Sequence, residues 1–182
     1  MGPMNTMLKI DGTFFQFPEG WETTVFDEWP QYLKPASSLG LKGCDILAIN
    51  GGTLWIIEVK DYTYPDAKQP EDLATVVGQK AIGTMALLYA LQRSKNDSAA
   101  VRFARACTVT TEIKLALHIE IKDGGRKERQ VRPLLMSLEQ KLQNIGKMLH
   151  IKAHVTSTLA PNPAAPWEFQ RDSTTRGVHV DR

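Results

Sequence analysis

Residues 45–60, which read DILAINGGTLWIIEVK, decide the fold of the chain. Residues 45–50 and 53–60 are rich in apolar, β-branched and aromatic side chains, which are typical of strands. Between them lies Gly51-Gly52, and two glycines suit a tight two-residue turn because its backbone needs positive φ angles. The stretch therefore predicts a β-hairpin.

Three charged side chains lie at the open end of this hairpin. With Gly51-Gly52 as the turn, the register places Asp45 opposite Glu58. A turn one residue earlier would move Asp45 by two positions but keep its face. Glu58 and Lys60 share that face, because side chains alternate along a strand. Opposed side chains have Cβ atoms about 4.5–5.5 Å apart, so we expect two carboxylates and an ammonium group to converge.

A divalent cation is the best explanation for two carboxylates at that distance. Mg²⁺ is usually held by one or two carboxylates together with water and substrate phosphates, and Mn²⁺ is the expected substitute. Asp45 and Glu58 would hold the ion, and Lys60 would orient or help deprotonate the attacking water, or stabilise the charge of the transition state. The pattern predicts metal-assisted phosphodiester hydrolysis. An ion pair on an exposed strand face is the alternative, since Asp-x₁₂-Glu-x-Lys also occurs by chance.

The patterns on either side of the hairpin predict further elements of both kinds. Strands or a hairpin are expected at residues 8–17, 113–121 and 151–156, helices at 22–33, 70–92 and 134–148, and loops at 35–40 and 123–132. Residues 101–107 fit either a helix or a strand. In 113–121 the alternation puts His118 and Glu120 on a polar face, which indicates a half-buried strand. Cys44 is expected on the opposite face from Asp45, as a small core residue.

This order of elements predicts an α/β protein, a sandwich built on a central mixed β-sheet flanked by helices. Residues 1–158 are expected to form the domain. Residues 159–182, which contain three prolines, are expected to form a tail that is ordered only if Trp167 and Phe169 dock on the domain.

The hairpin resembles the core motif of the PD-(D/E)XK nuclease superfamily. The resemblance rests on GCDILAI at residues 43–49 and on WIIEVKDY at residues 55–62, and it covers roughly residues 20–120. The chain departs from the family at Cys44, where the family often has proline. The string IEVKDY, followed by a helix that contains Gln79-Lys80, is similar to a branch of restriction-endonuclease-like proteins of uncertain role.

The resemblance implies a restriction-endonuclease-like three-layer sandwich and an Mg²⁺-dependent nuclease that leaves 5′-phosphate ends. It implies that Asp45 and Glu58 bind the metal, that the backbone carbonyl of Val59 is a further ligand, and that Lys60 assists the water. Positions in the flanking helices are implied as well: Gln79, after the hairpin, as a further catalytic residue, and as accessory residues Lys80 beside it and Glu22, Glu28 or Asp27 before the hairpin. For each accessory residue, a solvated helix face is the alternative.

The charge distribution suits a polyanion-binding surface in the second half of the chain. Residues 93–152 carry 13 basic and 6 acidic side chains, against 6 and 11 in residues 1–92. The densest basic run would suit contacts with phosphate groups, although a solvated loop is the alternative: Arg126, Lys127, Arg129 and Arg132. We expect nucleic acid as the partner, and DNA rather than RNA. Since no separate specificity domain is evident, a homodimer or a partner protein would supply selectivity.

Composition excludes several classes of protein. With 42% hydrophobic and 23% charged residues, the chain is neither wholly disordered nor a coiled coil. It has no run of 18 apolar residues and no visible signal peptide, so we expect no membrane association. Two cysteines favour a reducing compartment, and we expect a cytoplasmic protein. A catalytically silent relative that binds nucleic acid or assists assembly is the alternative to the enzyme, and a toxin-like ribonuclease is a third possibility.

Overall fold

A computed structural model describes residues 6–64, 67–122, 125 and 127–172 of the chain. Over these residues it forms strands and helices in the following order: β1 (Thr6–Ile10), β2 (Thr13–Phe17), β3 (Glu22–Val25), α1 (Pro30–Leu39), β4 (Ile46–Asn50), β5 (Thr53–Tyr62), α2 (Leu73–Gln92), α3 (Ala99–Thr108), β6 (Glu112–Ile121), α4 (Glu128–Met148), β7 (Lys152–Thr156) and β8 (Glu168–Arg171).

The central sheet has the strand order β3-β4-β5-β6-β7. Its first three strands are antiparallel neighbours, whereas β6 runs parallel to both β5 and β7. Parallel neighbours need a long crossover connection. Helices α2 and α3 supply the crossover from β5 to β6, and α4 supplies the one from β6 to β7. The prediction of an α/β protein with a mixed central sheet is confirmed.

The two faces of the central sheet are covered differently. One face packs against the helices in a large apolar cluster that includes Leu54 and Leu117. The other face packs against a small antiparallel sheet of order β1-β2-β8, through residues such as Phe15, Trp55 and Trp167. The layers are compatible with a three-layer sandwich, with the helices on one face and the small sheet on the other. A sheet covers the second face because β2 turns Phe15 and Phe17 inward.

The hairpin has the predicted register. Asn50 pairs with Thr53 and Ile46 pairs with Ile57. Gly51 and Gly52 have φ angles of 53° and 81°, which residues other than glycine rarely adopt. The register of β4 against β5 therefore follows from the glycine pair at the turn.

The chain between β2 and β4 differs from the prediction. Residues 22–25 form strand β3 rather than the start of a helix, because Thr23, Thr24 and Val25 are β-branched and pair with β4. Helix α1 begins at Pro30, where the missing N–H costs nothing, and runs through the predicted loop as far as Leu39. The predictions of a helix at 22–33 and of a loop at 35–40 were wrong over most of their length.

The second half also contains two corrections. Strand β6 is buried on both faces, so the predicted polar face is wrong: His118 and Glu120 lie under the small sheet. The polar pair is tolerated there because His118 Nε2 and Glu120 Oε1 are 2.7 Å apart. Helix α4 begins at Glu128 rather than at residue 134, so much of the predicted basic loop is helical.

Part of the expected tail packs on the domain. The Trp167 side chain is buried against Phe17 and Trp55, and β8 pairs with β2, with Phe169 opposite Phe15. These aromatic contacts attach the segment as far as residue 172. Residues 173–182 lie outside the described part of the chain.

Helix α2 is long and apolar enough, by length and composition alone, to cross a membrane. The core helix of a folded domain passes the same test. In α2, eight of the 20 residues are buried among the other elements, from Leu73 to Leu88. The observation is therefore weak evidence for a membrane span.

Candidate active site

The site lies on the helix-covered face of the sheet, at the end of the β4–β5 hairpin. The backbone N–H of Asp45 donates to the Ile57 carbonyl at 3.1 Å, which continues the pairing one residue before β4. Strand β5 extends beyond this point, so the next N–H on that edge, that of Val59, has no strand partner. The Asp45 carboxylate takes that role: its Oδ2 accepts from the Val59 N–H at 2.6 Å. The acidic side chain is thereby fixed against the backbone of β5.

Glu58 is the centre of the site. Its side chain is fully buried, and its Oε1 atom lies 2.6 Å from Lys60 Nζ and 2.5 Å from Lys80 Nζ. Lys60 is the neighbour on the same face of β5, whereas Lys80 reaches across from α2. The other oxygen, Oε2, is also buried and has no hydrogen-bond partner among the described residues. Glu58 therefore carries one oxygen held by two ammonium groups and one that is free to accept a ligand.

Burial perturbs the titration of the groups around Glu58. Burial, reinforced by the charge of Glu58, raises the pKa of Asp45 to about 8. Burial alone would lower the pKa of Lys80, but the charges of Glu58 and Asp45 outweigh it and raise that pKa above its usual range. Burial and Glu58 likewise raise the pKa of Tyr62 to about 12. Such perturbed groups cluster at functional sites, although structural ion pairs perturb pKa values as well.

The donor set suits a hard cation better than a soft one. Within the described ranges, no group of three or more His, Cys, Asp or Glu side chains is arranged to hold a metal. The available donors are the carboxylates of Asp45 and Glu58, with the buried Oε2 of Glu58 lacking a partner. In a strand the N–H and C=O of one residue point to the same side, so the Val59 carbonyl faces the same edge as its N–H. Two carboxylates and a carbonyl fit Mg²⁺, which retains several waters in such sites.

On helix α2, the structure brings Lys80 to the site rather than Gln79. Thr84 and Lys80 are four residues apart on one helical face, and that face looks towards Asp45 and Glu58. Gln79 is one position earlier and is exposed, and its side chain forms no hydrogen bond to another described residue. The catalytic role expected for Gln79 thus has no contact in the site to support it.

The accessory acids before the hairpin are placed apart from the centre. Glu22 lies on β3 and pairs with Ile49, at the far end of β4 from Asp45. Its charge adds to the effect of burial in raising the pKa of Cys107 instead. Glu28 is exposed in the turn before α1. That turn begins beside the site, because the Phe26 N–H donates to the Asp45 carbonyl at 2.7 Å. Of the three predicted acids, Asp27 and Glu28 are the nearest in sequence to this contact.

Three of the four predicted basic residues are exposed at one edge of the sheet. Lys127 precedes α4, and Arg129 and Arg132 lie in its first turns. Helix α4 follows the end of β6, where Ile121 pairs with Tyr62. The start of α4 is therefore on the same edge of the sheet as Lys60. Arg126 lies outside the described residues, and Arg132 forms an ion pair with Glu128 within the helix.

Cys44 is on the same side of the sheet as the site, so its predicted position was wrong. It belongs to the helix-side core, and burial, with the charges of Glu58 and Asp45, raises the pKa of its thiol. The alternation of faces fails here because β4 begins only at Ile46. Sequence reasoning also missed Thr84, whose buried hydroxyl accepts from the Cys44 N–H. The spacing of Lys80 and Thr84 by four residues was the available indication.

Comparisons with known proteins give little to add to the geometry. No protein-family model matches the chain, and no solved structure matches it. A cysteine–tRNA ligase of Neisseria meningitidis serogroup A is 28% identical over 139 residues. The match covers 59% of this chain but only 20% of the ligase, so the chain spans about a fifth of that protein. A match of this extent shows no family membership.

Proposed function

We propose that the chain is a metal-dependent nuclease of the PD-(D/E)XK type, with a restriction-endonuclease-like fold, which hydrolyses phosphodiester bonds in DNA rather than in RNA. The observation that carries the proposal is the convergence of three groups at the end of one hairpin. Asp45, Glu58 and Lys60 share one face of the sheet, and two of them are largely or fully buried. Buried carboxylates beside one another are costly unless they are paired or bind a cation.

In this proposal Asp45 and Glu58 hold Mg²⁺. The ion, when bound, polarises a phosphoryl oxygen and lowers the pKa of a water molecule. The carboxylate of Glu58 is held towards the site by Lys80, and that of Asp45 is held by the Val59 N–H. These contacts fix both acids before any ligand arrives, which reduces the reorganisation needed for the reaction.

Lys60 is the group proposed to act on the water and on the transition state. It is partly exposed, whereas its partner Glu58 is fully buried, so its ammonium group lies between the buried acids and solvent. A cation at that position stabilises the extra negative charge that develops on the phosphoryl oxygens. Its contact with Glu58 also keeps the ammonium group oriented into the site.

Nucleic acid is proposed to approach over the basic edge. Lys127, Arg129 and Arg132 are exposed at the start of α4, on the edge of the sheet where Lys60 lies. Basic side chains there neutralise backbone phosphates and release counterions, which gives binding without sequence preference. Selectivity is then proposed to come from a second copy or from a partner protein.

A catalytically silent nucleic-acid-binding module is the second candidate. It is favoured by the same contacts of Glu58, because two ammonium groups already neutralise its Oε1 atom without any metal. In such a module the ion pairs would be structural, and the basic edge would remain the binding surface. The two candidates differ in whether phosphodiester bonds are cut.

Supercoiled plasmid incubated with Mg²⁺ or Mn²⁺ separates the candidates. The variants are Lys60→Met and Glu58→Gln, with Lys152→Met as the control because Lys152 is exposed and pairs with Glu112 away from the site. The enzyme predicts nicking by the wild type and the control, a loss of about 100-fold or more in both site variants, and no cutting with EDTA. DNA binding by all four proteins with no cutting by any would support the module, and digestion of tRNA but not plasmid would favour a ribonuclease.

A further inference from the structure

Helix α2 carries one fully buried hydroxyl group that faces the start of β4. Thr84 Oγ1 accepts a hydrogen bond from the backbone N–H of Cys44 at 2.9 Å. The same hydroxyl donates to the backbone carbonyl of Lys80 at 2.9 Å. A single hydroxyl group therefore uses both its donor and an acceptor position, on two different segments of the chain.

The two segments that Thr84 joins carry the charged groups of the site. Cys44 directly precedes Asp45, so the accepted hydrogen bond fixes the Gly43–Cys44 peptide, one residue before the one that carries the Asp45 side chain. Lys80 is one helical turn before Thr84, and its ammonium group contacts Glu58. Thr84 touches neither acid itself. It is linked to them through the backbone of Cys44 and Lys80.

The chain around this contact is packed too closely to rearrange easily. A Cβ on Gly83 would lie 2.1 Å from the carbonyl oxygen of Lys42, which is backbone and cannot move aside. On the other side, a Cβ on Gly43 would lie 2.6 Å from the Phe26 ring. The Gly43 N–H also donates to the Tyr32 hydroxyl at 3.1 Å. Residues 42–44 are therefore held between α2 and two aromatic rings.

We propose that Thr84 is a positioning residue. It sets the distance between the Asp45 carboxylate and the Lys80 ammonium group, the two groups that lie beside Glu58. The inference rests on the proposed nuclease function. Thr84 is not a catalytic residue, because it is fully buried and its hydroxyl is bound to the backbone of Cys44 and Lys80. Its role is to join helix α2, which carries Lys80, to the segment just before β4, which carries Asp45.

The two substitutions that separate this role from simple packing are Thr84→Val and Thr84→Ser. Valine has nearly the shape of threonine but leaves the buried Cys44 N–H without an acceptor. Serine keeps the hydroxyl and loses only a methyl group. A matched control is Thr156→Val, because Thr156 is also buried and its Oγ1 accepts from the Asn162 N–H at 3.1 Å, on strand β7 away from the site.

Steady-state cleavage of a DNA substrate with Mn²⁺, together with thermal unfolding, tests the proposal. Thr84→Val is expected to lower kcat about tenfold to a hundredfold with KM for DNA almost unchanged, since misplaced catalytic groups slow the reaction step. Thr84→Ser is expected to retain kcat within about threefold. Thr156→Val is expected to lose as much thermal stability as Thr84→Val and to keep full kcat. Equal kcat in Thr84→Val and Thr156→Val would overturn the positioning role.

Crystal structures of the two Thr84 variants test the role independently of any activity. In Thr84→Val we expect the contact of Lys80 with Glu58, or that of Asp45 with the Val59 N–H, to lengthen beyond hydrogen-bonding distance, while Thr84→Ser keeps both. Unchanged contacts in Thr84→Val would overturn the proposal. An inactive wild type would refute the nuclease function, and the displaced contacts would still support Thr84 as the residue that positions this cluster.

Discussion

The Oδ2 atom of Asp45 lies 2.6 Å from the backbone nitrogen of Val59, so an acidic side chain replaces the strand partner that β5 lacks where it extends past the first residue of β4. This contact fixes the carboxylate next to Glu58 in a buried position. The hairpin register and the bond to the β5 backbone therefore keep the two acids next to each other. Consequences follow for stability, for pH dependence and for the reaction.

Asp45 should make the metal-free protein less stable as the pH rises. Its pKa in the folded protein is raised to about 8, by burial first and then by Glu58, from an ordinary value of 3.8. Between these pH values the folded protein holds a proton that the unfolded chain has released, so stability falls as pH increases from about 4 to about 8. Asp45→Asn should remove this contribution to the pH dependence of stability.

Urea unfolding in EDTA at pH 5, 6.5 and 8 measures the effect. The control is Asp97→Asn, at an exposed carboxylate that pairs with Arg102. The slope should be the same in this control as in the wild type. An unchanged slope in Asp45→Asn would mean that Asp45 keeps an ordinary pKa in the folded protein.

The Glu58–Lys80 pair should show strong coupling in a double-mutant cycle. Glu58→Gln leaves the largely buried Lys80 ammonium group facing a neutral amide. Because a buried ion pair is broken, we expect a loss of about 3 kcal/mol of unfolding free energy. Lys80→Met removes one of the two cations on Glu58 and should cost less, because Lys60 remains. The double variant should be more stable than the sum of the single changes predicts. Additive free energies of unfolding would indicate that the two side chains do not interact in solution.

Glu120, on the opposite face of the sheet, should contribute to acid sensitivity. Burial alone would raise its pKa, but hydrogen bonds from His118 and Thr158 outweigh burial and lower it. A lowered carboxylate pKa gives stability that is present above the unfolded value of about 4.5 and is lost as the pH falls through the folded value. Glu120→Gln should flatten the loss of thermal stability below pH 4.5. A melting profile between pH 3 and 6 checks this, and identical profiles for variant and wild type would count against it.

Arg171, on strand β8, should stabilise the protein through its ion pair with Asp61, the residue that follows Lys60. Arg171 Nη1 lies 2.7 Å from Asp61 Oδ2, and that carboxylate is nearly fully buried. Arg171→Ala leaves Asp61 without its cation and should cost about 1–3 kcal/mol of unfolding free energy. Lys9→Ala, at the more exposed pair with Asp172, should cost no more than about 1 kcal/mol. Equal losses in the two variants would mean that the Arg171 contact is no stronger than a surface ion pair.

The sequence was informative wherever one short stretch determined its own structure. The glycine pair set the turn and the register of β4 against β5, and alternation put Glu58 and Lys60 on one face. These effects involve neighbours in the chain, so they could be predicted without the rest of the fold. The same reasoning failed at Cys44, because the regular strand begins two residues later.

Long-range packing accounts for most of the remaining differences. The burial of His118 depends on the small sheet, one strand of which comes from residues 168–171, about 50 residues later in the sequence. Nothing within β6 itself indicates that cover. Similarly, the choice of Lys80 over Gln79 depends on the rotation of α2 about its axis. That rotation is fixed by contacts such as the close approach of Gly83 to Lys42, which no periodicity in the helix predicts.

A crystal soaked with Mn²⁺ and measured at the manganese absorption edge tests the central claim most directly. We predict an anomalous peak about 2.1 Å from oxygens of both Asp45 and Glu58, with the ion absent from a Glu58→Gln crystal treated in the same way. A saturating soak that leaves these carboxylates without an ion, with Lys60 and Lys80 still on Glu58, would contradict the account.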